Sequence, residues 1–220
     1  RDSGNYWSAS SAFAPIVGPD GRIYTPSDYG YPRDGQGWSG EYYVSVMNEG
    51  ASEWDPFAVE EFYVQVSGVG YGSQGMKASP SFDRNGYLYA NSAKGFKIVS
   101  LSTGSTVFSD DTFGATGRAV IDSNDIAYIF GKDNKIYAVT LEGHLWNTNV
   151  TGGYGSTLDV DNENGYLYAV SKNGMLYKYD INDNGAESEV YDLTSNATSI
   201  IIDANSTVYV ATQNGNLTAI

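Results

Sequence analysis

Apolar and polar positions along this chain alternate in short bursts of about five residues, the length of ordinary strands. Lys135-Ile136-Tyr137-Ala138-Val139 shows the period of two that a strand requires, and no segment carries the 3.6-residue apolar stripe of a helix. One unit recurs: a short apolar strand, an Asp, a turn containing Gly or Asn, then a strand containing Tyr. Its copies run over residues 16–24, 82–89, 121–128, 160–168 and 202–209. The anchoring tyrosines Tyr24, Tyr89, Tyr128, Tyr168 and Tyr209 are spaced 65, 39, 40 and 41 residues apart. Six residues past them stand Gly30, Gly95, Asn134, Gly174 and Gly215. Gly and Asn enter the left-handed backbone region cheaply, so this position predicts a hairpin turn. A third strand follows, as in Met175-Leu176-Tyr177-Lys178-Tyr179. A fourth ends in an aromatic: Phe108 after Gly104, Trp146 after Gly143, Tyr191 after Gly185.

Four short strands in about 40 residues predict one blade of a β-propeller. The chain ends in Gly215-Asn216-Leu217-Thr218-Ala219-Ile220, a third strand without its fourth. It begins Asp2-Ser3-Gly4-Asn5-Tyr6-Trp7, and the Gly4-to-Trp7 spacing equals that from Gly143 to Trp146. Joined, the two pieces complete one blade. The expectation is an all-β, five-bladed β-propeller of four-stranded antiparallel blades. It forms a single domain over residues 1–220, closed by the N-terminal strand in the last blade so that no sheet edge stays open.

Composition narrows the function classes. The chain is 41% hydrophobic and 17% charged, which suits a folded domain. A net charge of −14 argues against nucleic acid and anionic membrane surfaces, because phosphate binding needs Lys and Arg. No apolar run reaches the length of a membrane span, so membrane insertion is not expected. The absence of cysteine removes disulfides, thiolate nucleophiles and Cys-based zinc sites, and a single His144 excludes a multi-histidine metal site. The lack of cysteine, the scarcity of lysine and the wealth of Tyr, Asn, Gly and Thr point to an exported, extracellular or cell-surface chain, one part of a larger surface protein. Sequons stand at Asn149, Asn196, Asn205 and Asn216.

The repeated turn, Tyr strand, third strand, and Gly followed by a terminal aromatic resemble the quinoprotein-like (PQQ-repeat) β-propeller family. The likeness covers the chain apart from residues 31–77. It implies that the terminal aromatics, here Trp7, Phe108, Trp146 and Tyr191, dock between blades. The quinone-dependent dehydrogenases of that family use more blades, a vicinal cysteine pair and a calcium-bound quinone. This chain has no cysteine and too few residues, so the resemblance implies the non-catalytic branch, whose propellers serve as binding or assembly surfaces.

Two features depart from the repeat. The first blade carries insertions at about 31–41, read as a loop separating its second and third strands, and at 48–61, with Trp54, Phe57 and five acidic residues. Insertions on a regular scaffold are where binding is most often placed. In a propeller, the loop between second and third strands shares a face with the blade-to-blade crossovers. Trp38 would then stand near the crossover aromatics Tyr71, Phe113 and Tyr154, each beside glycine, around one mouth. Such aromatics with polar neighbours suit a carbohydrate or a protein ligand; alternatively they plug the channel.

Catalysis and metal binding are the other readings. Asp83, Asp122, Asp161 and Asp203 could pass for the carboxylates of a glycoside-active enzyme, but they occupy equivalent turn positions, where a repeated capping role accounts for them. Asp110-Asp111 is the least explained acidic pair, and His144 sits at a strand position that the repeat already explains. No cofactor is expected apart from calcium, for which Asp180, Asn182 and Asn184 place oxygen donors at alternate positions before Gly185. The glutamate expected at the twelfth position of such a loop is replaced by Tyr191.

Overall fold

The structure, a computed structural model, describes residues 8–10, 15–33, 37–47, 79–91, 95–151, 155, 157–171 and 173–220. The chain divides into two compact units, residues 1–114 and 115–220. All the sheets among the described residues are antiparallel. Among the described residues no helix is long and apolar enough to cross a membrane.

Among the described residues the first unit shows two sheets. The first contains β1 (Ser8–Ser10), β2 (Ile16–Val17), β3 (Ile23–Arg33) and β4 (Gly37–Met47). β4 follows β3 along its whole length, while β1 and β2 share the other edge of β3. The second sheet runs in order through β5 (Ser81–Phe82), β6 (Tyr87–Asn91), β7 (Phe96–Ser100) and β8 (Thr106–Asp110). Tyr24 of the first sheet meets Phe82 of the second with ring centroids 4.7 Å apart.

The insertion read as a loop at 31–41 is corrected by this topology. Tyr31 pairs with Ser39, Pro32 with Trp38 and Arg33 with Gly37, so the strands continue almost to the tip of one long hairpin. One proline and three glycines in that stretch resemble loop punctuation. Pairing along the full length of a partner strand supplies a ladder that local composition does not reveal. The insertion at 48–61 lies outside the described residues.

Among its described residues the second unit shows three sheets. β9 (Val120–Ile121), β10 (Ala127–Phe130), β11 (Lys135–Thr140) and β12 (Gly143–Asn149) form one. β13 (Thr157–Asp161), β14 (Tyr166–Val170), β15 (Met175–Asp180) and β16 (Ala186–Asp192) form the next. β17 (Ala197–Ile202), β18 (Val208–Thr212) and β19 (Leu217–Ala219) form the last, with three strands among the described residues. The expected completing strand, residues 2–7, lies outside those described.

Burial follows strand position. β10 is buried throughout and β14 nearly so, whereas the fourth strands β8 and β16 are mostly exposed. Apolar side chains of successive sheets share cores. Tyr128, Phe130 and Ile136 of one sheet pack with Leu158, Leu167 and Tyr179 of the next, and Tyr168, Val170 and Leu176 pack with Ile200, Val208 and Val210. Trp146 joins the first of these cores and Tyr191 the second, each reaching past its own sheet. The indole of Trp146 lies so close to Gly185 that a β-carbon there would stand 2.5 Å from the ring. A register shift recurs between third and fourth strands, at Ile98/Val99, Ala138/Val139 and Lys178/Tyr179, so the repeat extends to its bulges.

The predicted left-handed positions are met at Asn134, Gly174 and Gly215, with φ of 65°, 81° and 87°. Gly30 instead lies within β3 opposite Gly40. Gly95 is absent from the positive-φ glycines; it precedes β7 and is pressed against the Asp110 carbonyl.

Candidate functional site

The repeated aspartates form a clasp. In Asp83 one carboxylate oxygen accepts the backbone N–H groups of Asn85 and Tyr87, both at 2.9 Å, and the other accepts the Tyr89 hydroxyl at 3.0 Å. Asp122 repeats this with Asn124, Ile126 and Tyr128 at 2.8, 2.9 and 3.0 Å. Asp203 does so with Asn205, Thr207 and, at 3.4 Å, Tyr209. Asp20 accepts the Arg22 N–H and the Tyr24 hydroxyl. The chain reversal leaves backbone donors pointing inward, and the carboxylate satisfies them while tying the turn to a tyrosine six residues on, or four in the Asp20 copy.

The fourth copy differs for a countable reason. Its turn has one extra residue, so Tyr168 falls seven residues after Asp161 rather than six. The Asn164 side-chain amide supplies the donor instead, at 2.9 Å, and also bonds Ser206 of the next turn. Burial would push the Asp161 carboxyl up, but the Asn164 amide and backbone, Ser206 and the Glu163 N–H outweigh it and hold it below the usual carboxylate range. The Thr207 and Asn205 N–H groups lower Asp203 in the same way. Burial, then the paired carboxylate, raises the Tyr24 and Tyr128 phenols far above their ordinary value. A neutral tyrosine donating its hydroxyl to the turn carboxylate is therefore the stable arrangement. The turn carboxylates serve the fold, as the capping reading expects.

The other candidate catalytic groups are also placed. One oxygen of Asp110 accepts both the N–H and the hydroxyl of Thr112. His144 is exposed on β12, its ring edge-on to Tyr137 at 5.4 Å.

Of the crossover aromatics, Trp38 lies in β4 opposite Pro32, beside the tip of the long hairpin. Tyr71 and Tyr154 lie outside the described residues. Phe113 is buried, 3% exposed, with its ring 6.4 Å from Phe96. It belongs to the core of its unit and offers no free face for stacking. Neighbouring glycine cannot disclose this, since a ring beside glycine can swing either way.

Gly155, beside Tyr154, has a packing role. Its backbone carbonyl accepts the Thr116 hydroxyl at 2.6 Å, joining two crossovers of the second unit. A β-carbon on it would stand 1.7 Å from the Val170 carbonyl oxygen.

In the proposed calcium loop, Asp180 caps the short 3-10 helix Ile181–Asp183 by accepting the Asn182 N–H, and Asn184 takes a left-handed conformation with φ of 51°. The Asn182 amide lies against Gly165. Asp180 and Asn184 thus shape the hairpin. Among the described residues no group of three or more His, Asp or Glu is placed to hold a metal.

No protein-family profile matches the chain, and no curated protein matches it in sequence. Solved structures do match its fold. BamB from Moraxella catarrhalis is similar over 96% of this chain and 70% of its own, with 13% identity and a TM-score of 0.63. The computationally designed Ika4 protein matches over 69% of this chain and 92% of its own, with 17% identity and a TM-score of 0.58. The RRP9 WD40 repeats match over 61% of this chain and 47% of their own, with 11% identity and a TM-score of 0.50. With the four-stranded antiparallel sheets, these likenesses support a β-propeller fold.

Proposed function

We propose that this chain is a non-enzymatic binding or assembly module, presenting the crossover face of a propeller to a carbohydrate or protein ligand outside the cell. The observation that carries the reading is the β3–β4 hairpin. Its strands are 11 residues each, against five to seven in the paired third and fourth strands of the other four-stranded sheets. An arm of that length, with Tyr29, Tyr31, Trp38, Tyr42 and Tyr43 in its sequence, exceeds what a regular blade requires, and such extensions commonly hold binding sites. Trp38 and Tyr154 are the proposed anchors.

The test is a glycan array and a pull-down from surface extracts, followed by titration of whatever binds. Truncating a true aromatic anchor to Ala should weaken binding by about 1–3 kcal/mol and leave the sheets folded. Full-strength binding by both Trp38→Ala and Tyr154→Ala would place the site elsewhere. Turnover of a glycoside, lost on substitution of Asp110 or Asp111, would establish the enzymatic alternative.

The ring we propose has five blades, residues 2–7 completing the last. In support, that sheet has three described strands, and Leu217 on its outer strand is 70% exposed. Deleting residues 1–9 should lower the melting temperature and promote aggregation through the open edge. An unchanged melting temperature would refute closure.

A further inference from the structure

The outer edges of the sheets are not guarded alike. Among the described residues β8, β12 and β16 each pair with one strand and leave the other side as an edge. Such an edge is a row of backbone donors and acceptors that a strand from another chain can join. Each of the three also carries an exposed aliphatic side chain just before its terminal aromatic: Val107 is 44% exposed, Leu145 53% and Val190 42%. β16 surrounds Val190 with Glu187, Glu189 and Asp192, and β8 ends in Asp110, followed by Asp111. Charges of this kind discourage edge-to-edge pairing. β12, Gly143-His144-Leu145-Trp146-Asn147-Thr148-Asn149, has no Asp, Glu, Lys or Arg, yet it carries the most exposed of the three aliphatics.

What β12 has instead is a sequon. Asn149, its last residue, is exposed, and so is Thr151 two residues on. Val150 between them is 3% exposed and packs into the core shared with the next sheet, its N–H bonded to the Asn134 carbonyl at 2.8 Å. The core thus anchors the middle of the sequon and leaves both outer side chains in solvent. Leu145, Asn147 and Asn149 are exposed in alternation with half-buried Trp146 and Thr148, so Leu145 and Asn149 share one face of the strand. The other sequons differ. The Thr198 hydroxyl donates to the Ala211 carbonyl at 3.3 Å. The Thr207 side chain bonds Asp203 within the clasp, where Ser206 has φ of 62°. Asn216 stands just before β19, the strand that residues 2–7 are proposed to cover.

We propose that Asn149 is an N-glycosylation site whose glycan guards the β12 edge, where β8 and β16 use charge. The inference rests on the extracellular reading above, since this modification belongs to exported chains. Its chemistry is a group transfer from an oligosaccharide carried on a polyisoprenyl diphosphate. The Asn149 amide nitrogen bonds to the anomeric carbon of the first sugar and releases one proton. The bond from that carbon to the diphosphate oxygen breaks, and the lipid diphosphate leaves with the electron pair. Asn149 and Leu145 are four residues apart, about 13 Å along a strand, within reach of an oligosaccharide. A bulky hydrated group on that face covers the exposed leucine and obstructs an incoming strand.

The test secretes the full chain, behind an appended signal peptide, from cultured human cells. Enzymatic release of N-glycans leaves Asp in place of each modified Asn, and peptide mass spectrometry is expected to find Asn149 occupied in most chains. Asn149→Gln and Thr151→Ala should each lose the mass of one glycan, while Thr151→Ser keeps it. Both side chains are exposed, so the two glycan-free variants should retain the parental circular dichroism spectrum. On concentration they should scatter light about tenfold more than the parent, and adding Leu145→Glu to Asn149→Gln should remove most of that rise. A secreted chain unmodified at Asn149 overturns the proposal and leaves the extracellular reading standing. Recovery of the chain only from the cytosol of its own source overturns the extracellular reading, and with it the natural glycan. Glycan-free variants that stay as dispersed as the parent overturn the guarding role.

Discussion

Gly155→Ala should destabilise the chain by about 3 kcal/mol, near the upper end for adding one carbon to a packed site. The reason is space. The new β-carbon would lie 1.7 Å from the Val170 carbonyl oxygen and 3.2 Å from the Phe130 ring. The nearest obstacle is backbone inside β14, which cannot turn away as a flexible side chain can. Relief requires moving the crossover off the sheet, which would also stretch the 2.6 Å bond from the Thr116 hydroxyl. Gly86→Ala is the informative contrast. Gly86 has φ of 84° and nothing within 4 Å of an added β-carbon, so it should cost only the left-handed backbone term, about 1 kcal/mol. Urea unfolding checks both: the midpoint of Gly155→Ala should fall far below that of Gly86→Ala. Equal midpoints would mean that the crossover yields freely.

Asp122→Ala should cost a similar amount, about 3 kcal/mol, by a different route. The carboxylate is 6% exposed and accepts three hydrogen bonds, from two backbone N–H groups and from the hydroxyl of fully buried Tyr128. Removing it strands all three donors, and an unsatisfied buried donor costs about 1–3 kcal/mol. The losses overlap, because the loosened turn readmits water to its exposed backbone. Tyr128→Phe removes one bond and should cost about 1 kcal/mol. Tyr179 provides the control. Its hydroxyl is buried with no hydrogen-bond partner among the described residues, so Tyr179→Phe should leave stability unchanged or raise it. Thermal unfolding of the three variants ranks them. A Tyr128→Phe variant as stable as Tyr179→Phe would show that the clasp contributes nothing.

The two substitutions differ in how much of their basis could be read from the chain. The Asp122 turn is local. Its donors lie two and four residues ahead and its tyrosine six, so the spacing Asp-x5-Tyr alone, seen again at Asp83 and Asp203, was a sufficient signal for the clasp. Asp161 obeys the same arithmetic in its exception, since an inserted residue displaces Tyr168 and brings Asn164 into use. Strand periodicity and the left-handed turns at Asn134, Gly174 and Gly215 were legible for the same reason, while the bridging positions of Trp146 and Tyr191 were implied by the family resemblance. Each is set within one hairpin, or by one hairpin meeting an identical neighbour.

What the sequence could not determine involves parts of the chain that meet only after folding. Gly155 reads as one more flexible crossover glycine until Val170 is laid against it. Phe113 reads as an exposed aromatic until the ring of Phe96 covers it. Residues 31–41 read as a loop until β4 pairs with β3 over their full lengths, because glycine and proline lower strand propensity locally while ladder formation is decided by the partner.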